Sequence, residues 1–276
     1  MKRACVVGWP IAHSRSPLIH GYWLRKYGID GSYTKEPVQP GELAQCLATL
    51  KARGFVGCNV TVPHKEAAFA TAKIREPSAV AVGAANTLWF EGDALACANT
   101  DTYGFMANLD QAGPNWRSIP GPVMVLGAGG SARAVVYGLL ESGRRDIRVF
   151  NRTVERADEI ARHFGAAVSA WPWNTRNDHV KDASLIVNTT TLGMNGAGNP
   201  DINFQAAKKD VVVADLVYVP LETSLLRSAR KHGLVGVGGL GMLLHQAVPG
   251  FEKWFGVRPE VSSELYALVA ENIREA

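Results

Sequence analysis

The 276-residue chain is poor in cysteine, with four in all. Cys5, Cys46, Cys58 and Cys97 form no C-x-x-C pair and no zinc-ligand spacing. Each stands among apolar or small residues, so buried, inert thiols in a reducing, cytoplasmic compartment are expected. Charge of one sign is equally scarce: 29 Lys and Arg face 25 Asp and Glu, a net charge of +4. No basic run exceeds two residues, which argues against a nucleic-acid groove. A long apolar run is missing too. Pro10 and His13 interrupt the first one, so no signal peptide is expected. Residues 232–251 lack Asp, Glu, Lys and Arg, but six glycines, His245, Gln246 and Pro249 break them up. They read as a strand, a glycine-rich turn and a helix, not a membrane span. The seven histidines are scattered without an H-x-x-x-H pair, so no metal is expected, and the Gly-x-Ser-x-Gly elbow of serine hydrolases is absent.

What remains is ample material for a core. Hydrophobic residues make up 47% and charged ones 20%, which excludes wholesale disorder. At roughly 150 residues per domain, the length favours two domains. Short β-branched runs alternate with helical patterns, so an α/β architecture with parallel strands is expected. Strands are expected at 5–8, 33–36, 57–61, 123–126, 147–150, 185–187, 211–214 and 234–237. Segments 87–90 and 94–97, joined by Glu91-Gly92-Asp93, read as a hairpin. Helices are expected at about 16–27 and 41–53. Turn chemistry at Gly113-Pro114 and at 119–122 marks a boundary.

After that boundary, Val123–Leu126 runs into Gly127-Ala128-Gly129-Gly130-Ser131-Ala132, a G-x-G-x-x-A pattern. Ala132, Val135, Val136, Leu139 and Leu140 follow at helical spacing. Glycines let a backbone approach a pyrophosphate, and a helix N-terminus offers free N–H groups to it. Strand, motif and amphipathic helix together point to a dinucleotide. The next strand ends in Asn151-Arg152-Thr153, where an NAD site usually has a carboxylate for the ribose 2′-hydroxyl. Arg152 offers a fork for a 2′-phosphate and Thr153 a second donor, so NADP is favoured. Thr153 also suits a helix N-cap.

A second group of polar residues lies in the first hundred. Ser16-Pro17 reads as an N-cap followed by Pro at the first helical position, which leaves Ser14 without a structural duty. In Asn59-Val60-Thr61-Val62-Pro63-His64-Lys65, Asn59 and Thr61 share a face at a strand end. Pro63 opens a helix with Lys65 in its first turn. A cation there opposes the helix dipole by about 0.3 to 1 kcal/mol, which stability does not require. Asp101 precedes a helix as a fair N-cap and is also the carboxylate such a lysine needs. Asn86 suits a turn and a ligand contact equally. Leu240, Leu243, Leu244 and Ala247 form the core face of one helix, with Gln246 off that face.

Taken together, these segments resemble the shikimate dehydrogenase family. The resemblance rests on residues 10–17, 59–65, 83–87, 99–101, 127–131, 151–153, 215–218 and 241–246, in the family's order. It implies a Rossmann-type NADP-binding domain beside a discontinuous α/β substrate domain, with a cleft between them. On that pattern, residues 1–104 are the N-terminal part of the substrate domain, 105–238 bind NADP, and 239–276 are helices returning to the substrate domain. It implies reversible reduction of 3-dehydroshikimate to shikimate with NADPH. Lys65 and Asp101 are then the catalytic pair. Ser14 and Ser16 hold the substrate carboxylate, Asn59, Thr61, Asn86 and Gln246 bind ring hydroxyls, and Tyr218 lines the pocket. Gly127, Ala128, Gly129, Gly130, Ser131, Asn151, Arg152, Thr153 and Gly239 hold the cofactor, and Asn188, Thr189, Thr190 and Met242 take its nicotinamide side. Partners are small molecules, with no nucleic acid and no membrane, in a monomer or homodimer. Trp9, Gly238 and Thr191 depart from the family pattern and remove no proposed catalytic group. The alternatives are a quinate/shikimate dehydrogenase of broader specificity and a catalytically silent NADP or metabolite sensor.

Overall fold

A computed structural model describes residues 1–275. The chain forms two compact units, Met1–Tyr103 with Leu244–Val269, and Gly104–Leu243 with the C-terminal residues from Ala270.

The first unit is built on β1 (Lys2–Gly8), β2 (Gly31–Pro37), β3 (Phe55–Val60), β4 (Ile74–Arg75), β5 (Thr87–Glu91) and β6 (Ala94–Ala98), in the order β2-β1-β3-β5-β6-β4. β1 runs parallel to β2 and β3, and the hairpin β5–β6 turns antiparallel against β3. Its helices are α1 (Ser16–Lys26), α2 (Leu43–Leu50), α3 (Lys65–Thr71) and α4 (Pro77–Val82); α5 (Asp101–Ala112) starts at its edge. Strand alternation separates two cores. Cys5, Val7, Cys58, Val60 and Leu88 pack with Leu43, Leu47 and Leu50 of α2 on one face. On the other, His20 and Trp23 of α1 meet Tyr33, Phe251 and Trp254 in an aromatic cluster.

The second unit is a fully parallel sheet. Its strands are β7 (Val123–Leu126), β8 (Ile147–Asn151), β9 (Val168–Pro172), β10 (Leu185–Asn188), β11 (Val212–Asp215) and β12 (Val235–Val237), ordered β12-β11-β10-β7-β8-β9. That is the doubly wound dinucleotide-binding order, 6-5-4-1-2-3 in strands of this unit. Its helices include α6 (Gly130–Glu141), α7 (Val154–Phe164) and α8 (Ser224–Lys231). Val123, Val125, Val149, Leu185 and Val187 face one core, while Met124, Leu126, Phe150, Ile186 and Val213 face the other. Burial on both faces is why these strands read as continuous apolar runs.

The chain ends in α9 (Leu240–His245), α10 (Ala247–Phe255) and α11 (Ser263–Arg274). The single helix expected after the glycine run is therefore two, with Gln246 at the junction. Neither β4 nor β9 was among the expected strands. β4 has two residues, and β9 is an edge strand, Val-Ser-Ala-Trp-Pro, with no apolar run. Among the described residues no helix is long and apolar enough to cross a membrane.

Candidate active site

In the first unit, β3 delivers Asn59 and runs on into Thr61, whose N–H bonds Val7 O at 3.0 Å. Gly8 makes this approach feasible, because a Cβ there would sit 2.4 Å from the Thr61 methyl. Two residues past Pro63, α3 opens with Lys65. Its ammonium reaches Asp101 Oδ2 at 2.6 Å, with side chains 30% and 15% exposed. Asp101 begins α5, and the chain is held there by its own N–H to Asn99 Oδ1, 3.1 Å. Its carboxylate, expected as an N-cap, takes Lys65 on Oδ2 and the Asn86 amide on Oδ1, at 2.9 Å. Asn86 also donates to Gln246 Oε1 at 3.4 Å, and its Oδ1 accepts from Thr100 N at 2.8 Å.

Asn59 is nearly enclosed. Its Oδ1 accepts from the Tyr33 phenol at 2.6 Å, and its Nδ2 donates to Asn86 O and Thr87 Oγ1, each at 3.1 Å. Toward a ligand it therefore has only an Oδ1 lone pair to offer. The Thr61 hydroxyl, half-buried beside it, has no partner among the described residues. The expected division of labour between the two serines is reversed. Helix α1 is capped at Arg15 with no side-chain bond, and Ser14 Oγ accepts the Ser16 N–H at 3.4 Å. The chain bends back at 14–16 before the helix settles, so Ser16 already lies inside the first turn and its hydroxyl is not the cap.

Deep behind these residues lies His20, fully buried, with neither ring nitrogen hydrogen-bonded. Burial pushes its pKa down to about 3, against a weaker opposing influence from the Asn59 amide.

In the second unit, β7 turns through Gly127 into α6. Gly127 has φ +105°, and a Cβ on it would lie 2.8 Å from Thr189 Oγ1. No atom comes within 4 Å of a Cβ built on Gly129 or Gly130, and the helix starts there. These exposed N–H groups and Ser131 form an open anion cradle, which fits a pyrophosphate. At the end of β8, Asn151 Nδ2 bonds Thr153 O at 2.7 Å and shapes the entry to α7. Thr153 stands at the N-cap as expected but makes no side-chain cap bond. Arg152 is exposed and has no anionic partner among the described residues. A free guanidinium beside an open cradle is the donor set that a 2′-phosphorylated dinucleotide requires.

The loops after β10 and β11 are fixed by a buried carboxylate. Asp215 accepts from Asn188 Nδ2 (2.8 Å), Thr223 Oγ1 (2.6 Å) and Val217 N (3.1 Å). Asn188 Oδ1 in turn accepts from both the amide and the hydroxyl of Thr190. Burial raises the Asp215 pKa, against those hydrogen bonds. Thr189 donates its hydroxyl to Leu126 O at 2.7 Å. Tyr218 is half-buried just past β11. Gly239 lies so close to Leu216 that a Cβ would be 2.2 Å from its carbonyl, and Met242 packs on the sheet core.

Tyr33 carries no motif and was passed over, Thr87 and Thr100 lie in matched segments but were given no role, and Arg156 was missed as well. The last was detectable. Like Lys65, it is a cation in the first turn of a helix, here one turn from Arg152 and equally exposed.

Comparison with known proteins agrees along the whole chain. Three family profiles match in order: the shikimate dehydrogenase substrate binding domain at residues 6–88, shikimate / quinate 5-dehydrogenase at 119–217, and the shikimate 5′-dehydrogenase C-terminal domain at 239–263. The shikimate dehydrogenase (NADP(+)) of Mesorhizobium japonicum is 53% identical over 272 residues, 99% of this chain and 97% of the relative. Among solved structures, shikimate 5-dehydrogenase from Thermus thermophilus in complex with NADP(H) and shikimate superposes with TM-score 0.84 and 35% identity, covering 100% and 99% of the two chains. Quinate dehydrogenase from Corynebacterium glutamicum in complex with NAD gives TM-score 0.89 at 27% identity, covering 98% and 100%. The chain belongs to the shikimate dehydrogenase family.

Proposed function

We propose that this chain is an NADP-dependent oxidoreductase acting on a CH–OH group, reducing 3-dehydroshikimate reversibly to shikimate in aromatic amino-acid biosynthesis. The observation that carries the reading is the Lys65–Asp101 pair at 2.6 Å, set beside Asn86 and Gln246. The 53% identity to an NADP-dependent shikimate dehydrogenase supports it. Residues 14–16, 59–65, 86, 101 and 246 serve the substrate, and the second unit serves NADP. The free thiols support a cytoplasmic site.

NADPH supplies the hydride when bound. The chain's part is to hold the ring and manage the proton. Negative charge grows on the substrate oxygen as the ketone is reduced, and the Lys65 ammonium stabilises it and donates the proton. Asp101 aims that ammonium by one carboxylate oxygen and is itself aimed by Asn86 on the other. Ser14 and Ser16 take the substrate carboxylate, and the lone pair of Asn59 with the Thr61 hydroxyl takes ring hydroxyls. In the second unit, Gly127 to Ser131 hold the pyrophosphate, and Arg152 with Thr153 holds the 2′-phosphate. Thr189 and Met242 take the nicotinamide side, and Gly239 serves the same cofactor.

The test is nicotinamide absorbance with purified protein and shikimate or quinate, each with NADP⁺ or NAD⁺. Rapid reduction with shikimate and NADP⁺ alone is the expected result. Comparable rates with quinate or NAD⁺ place the chain among broader-specificity enzymes, and cofactor binding without turnover makes it a sensor.

A further inference from the structure

We infer that Tyr33 is a positioning residue of the Lys65–Asp101 pair, acting from the far end of a one-way chain of hydrogen bonds through Asn59, Thr87 and Asn86. The inference rests on the catalytic reading of that pair. The chain joins four elements: Tyr33 from β2, Asn59 from β3, Asn86 and Thr87 where β5 begins, and Asp101 where α5 begins.

Two main-chain groups fix its direction. Asn86 O lies 3.1 Å from Asn59 Nδ2, and only an amide NH₂ tolerates a carbonyl there. Asn59 Oδ1 must therefore face the Tyr33 phenol, which donates to it at 2.6 Å. Thr100 N lies 2.8 Å from Asn86 Oδ1, and only an oxygen accepts it. Asn86 Nδ2 must therefore face Asp101 Oδ1 at 2.9 Å. Thr87 links the two amides. It accepts from Asn59 at 3.1 Å, so its own hydrogen goes on to Asn86 Oδ1 at 3.1 Å, or through Thr100. One unbroken path of donors then runs to a single carboxylate, whose second oxygen holds Lys65 at 2.6 Å, with side branches from Asn59 to Asn86 O and from Asn86 to Gln246 Oε1. Hydrogen bonds aligned head to tail polarise and reinforce one another.

The starting phenol is built to stay a donor. It is 8% exposed and stacks on His20 with ring centroids 4.0 Å apart. Its titratable neighbours are His20, Cys5 and Cys58. Burial keeps His20 neutral, and the Cys58 thiol is held protonated by its hydrogen bond with Cys5 and by burial. The charges on the chain are thus Lys65 and Asp101 at its end. Without the phenol hydrogen, Asn59 Oδ1 is a buried acceptor with no protein donor, and the amide that orients Thr87 loses its anchor.

The test removes single hydroxyls and leaves shape intact, by Tyr33→Phe and Thr87→Val. The readout is kcat for shikimate oxidation by NADP⁺, expressed per NADPH-binding site counted by fluorescence titration, with KM for NADP⁺ and the melting temperature alongside. Each variant is expected to lower kcat by about tenfold with KM for NADP⁺ within about twofold, and the double variant to fall no further than the lower single one, because coupled residues are non-additive. Unchanged kcat per site with a lowered melting temperature overturns the inference and leaves Tyr33 a packing residue. Losses that multiply in the double variant overturn it as well. Should Tyr33→Phe fail to fold, Thr87→Val alone tests the chain by the same readout. Lys65→Ala separates the two levels. If it retains wild-type turnover, the catalytic reading itself fails. If it is inactive while Tyr33→Phe has full turnover per site, only the role of Tyr33 fails.

Discussion

Lys65 and Arg152 are each a charged side chain where local structure has no use for it. Lys65 opposes the dipole of α3, and Arg152 stands at a strand tip where a carboxylate is usual. Lys65→Ala is predicted to lower kcat by about 10² to 10⁴-fold with KM for NADP⁺ unchanged, the range for loss of a positioned acid. An equal loss of substrate affinity argues against the proton-donor role. Arg152→Gln is predicted to raise KM for NADP⁺ by about 10 to 100-fold, from the loss of hydrogen bonds to a charged group, and to leave KM for NAD⁺ nearly unchanged. Tyr33 was not legible, and neither were the roles of Thr87 and Thr100 within their motifs. Their meaning lies in partners that only tertiary folding supplies, 26 and 13 positions along the chain in two of the contacts.

The parallel strands of the second unit declared themselves through two-sided burial, whereas β4 and β9, short or at an edge, did not. Nor could periodicity show that the helix after the glycine run breaks at Gln246, since apolar spacing continues through the break. Packing between elements sets three tests. A Cβ on Gly57 would lie 2.2 Å from both Leu88 O and Trp254 Nε1, which themselves bond at 2.9 Å. Gly57→Ala is therefore predicted to destabilise by about 1 to 3 kcal/mol, measured by urea unfolding, as α10 is pushed from β3 and β5. Asp215→Ala leaves the donors of Asn188, Thr223 and Val217 without their acceptor, for a predicted loss of about 2 kcal/mol or more. His20, with its pKa at about 3 in the fold and an ordinary value of 6.5, is neutral when buried and takes up a proton on unfolding below pH 6.5. The unfolded state then binds more protons, so stability falls as pH drops from 6.5 toward 3, by up to about 1.4 kcal/mol per pH unit from this group. In His20→Leu the acid limb of the stability curve should be shallower; an unchanged limb assigns the acid sensitivity to other groups.

The assignment of one unit to substrate and one to cofactor makes a prediction for the whole molecule. In amide hydrogen exchange, NADP⁺ should slow residues 127–132 and 151–153, and shikimate should slow 14–16, 59–65 and 99–101. Each ligand at 100 times its Kd should add about 2.7 kcal/mol to the stability of what it binds. The reverse pattern of protection overturns the assignment. That the first unit is assembled from both ends of the chain came from family resemblance alone. Hydrophobic spacing marks α10 as amphipathic but does not say which sheet it covers. Only the fold shows it lying against β1, β3, β5 and α1, with Trp254 bonded to Leu88 O. This topology has a consequence for biosynthesis. Residues 104–243 emerge from the ribosome as an uninterrupted 140-residue stretch and can fold as they appear. The first 103 residues must wait until residue 269 has been made, about 8 to 33 s at translation rates of roughly 5 to 20 residues per second. Throughout that interval the aromatic face around Trp23 and Tyr33 lacks Phe251 and Trp254, so the sheet made first is covered only when nearly the whole chain has been synthesised.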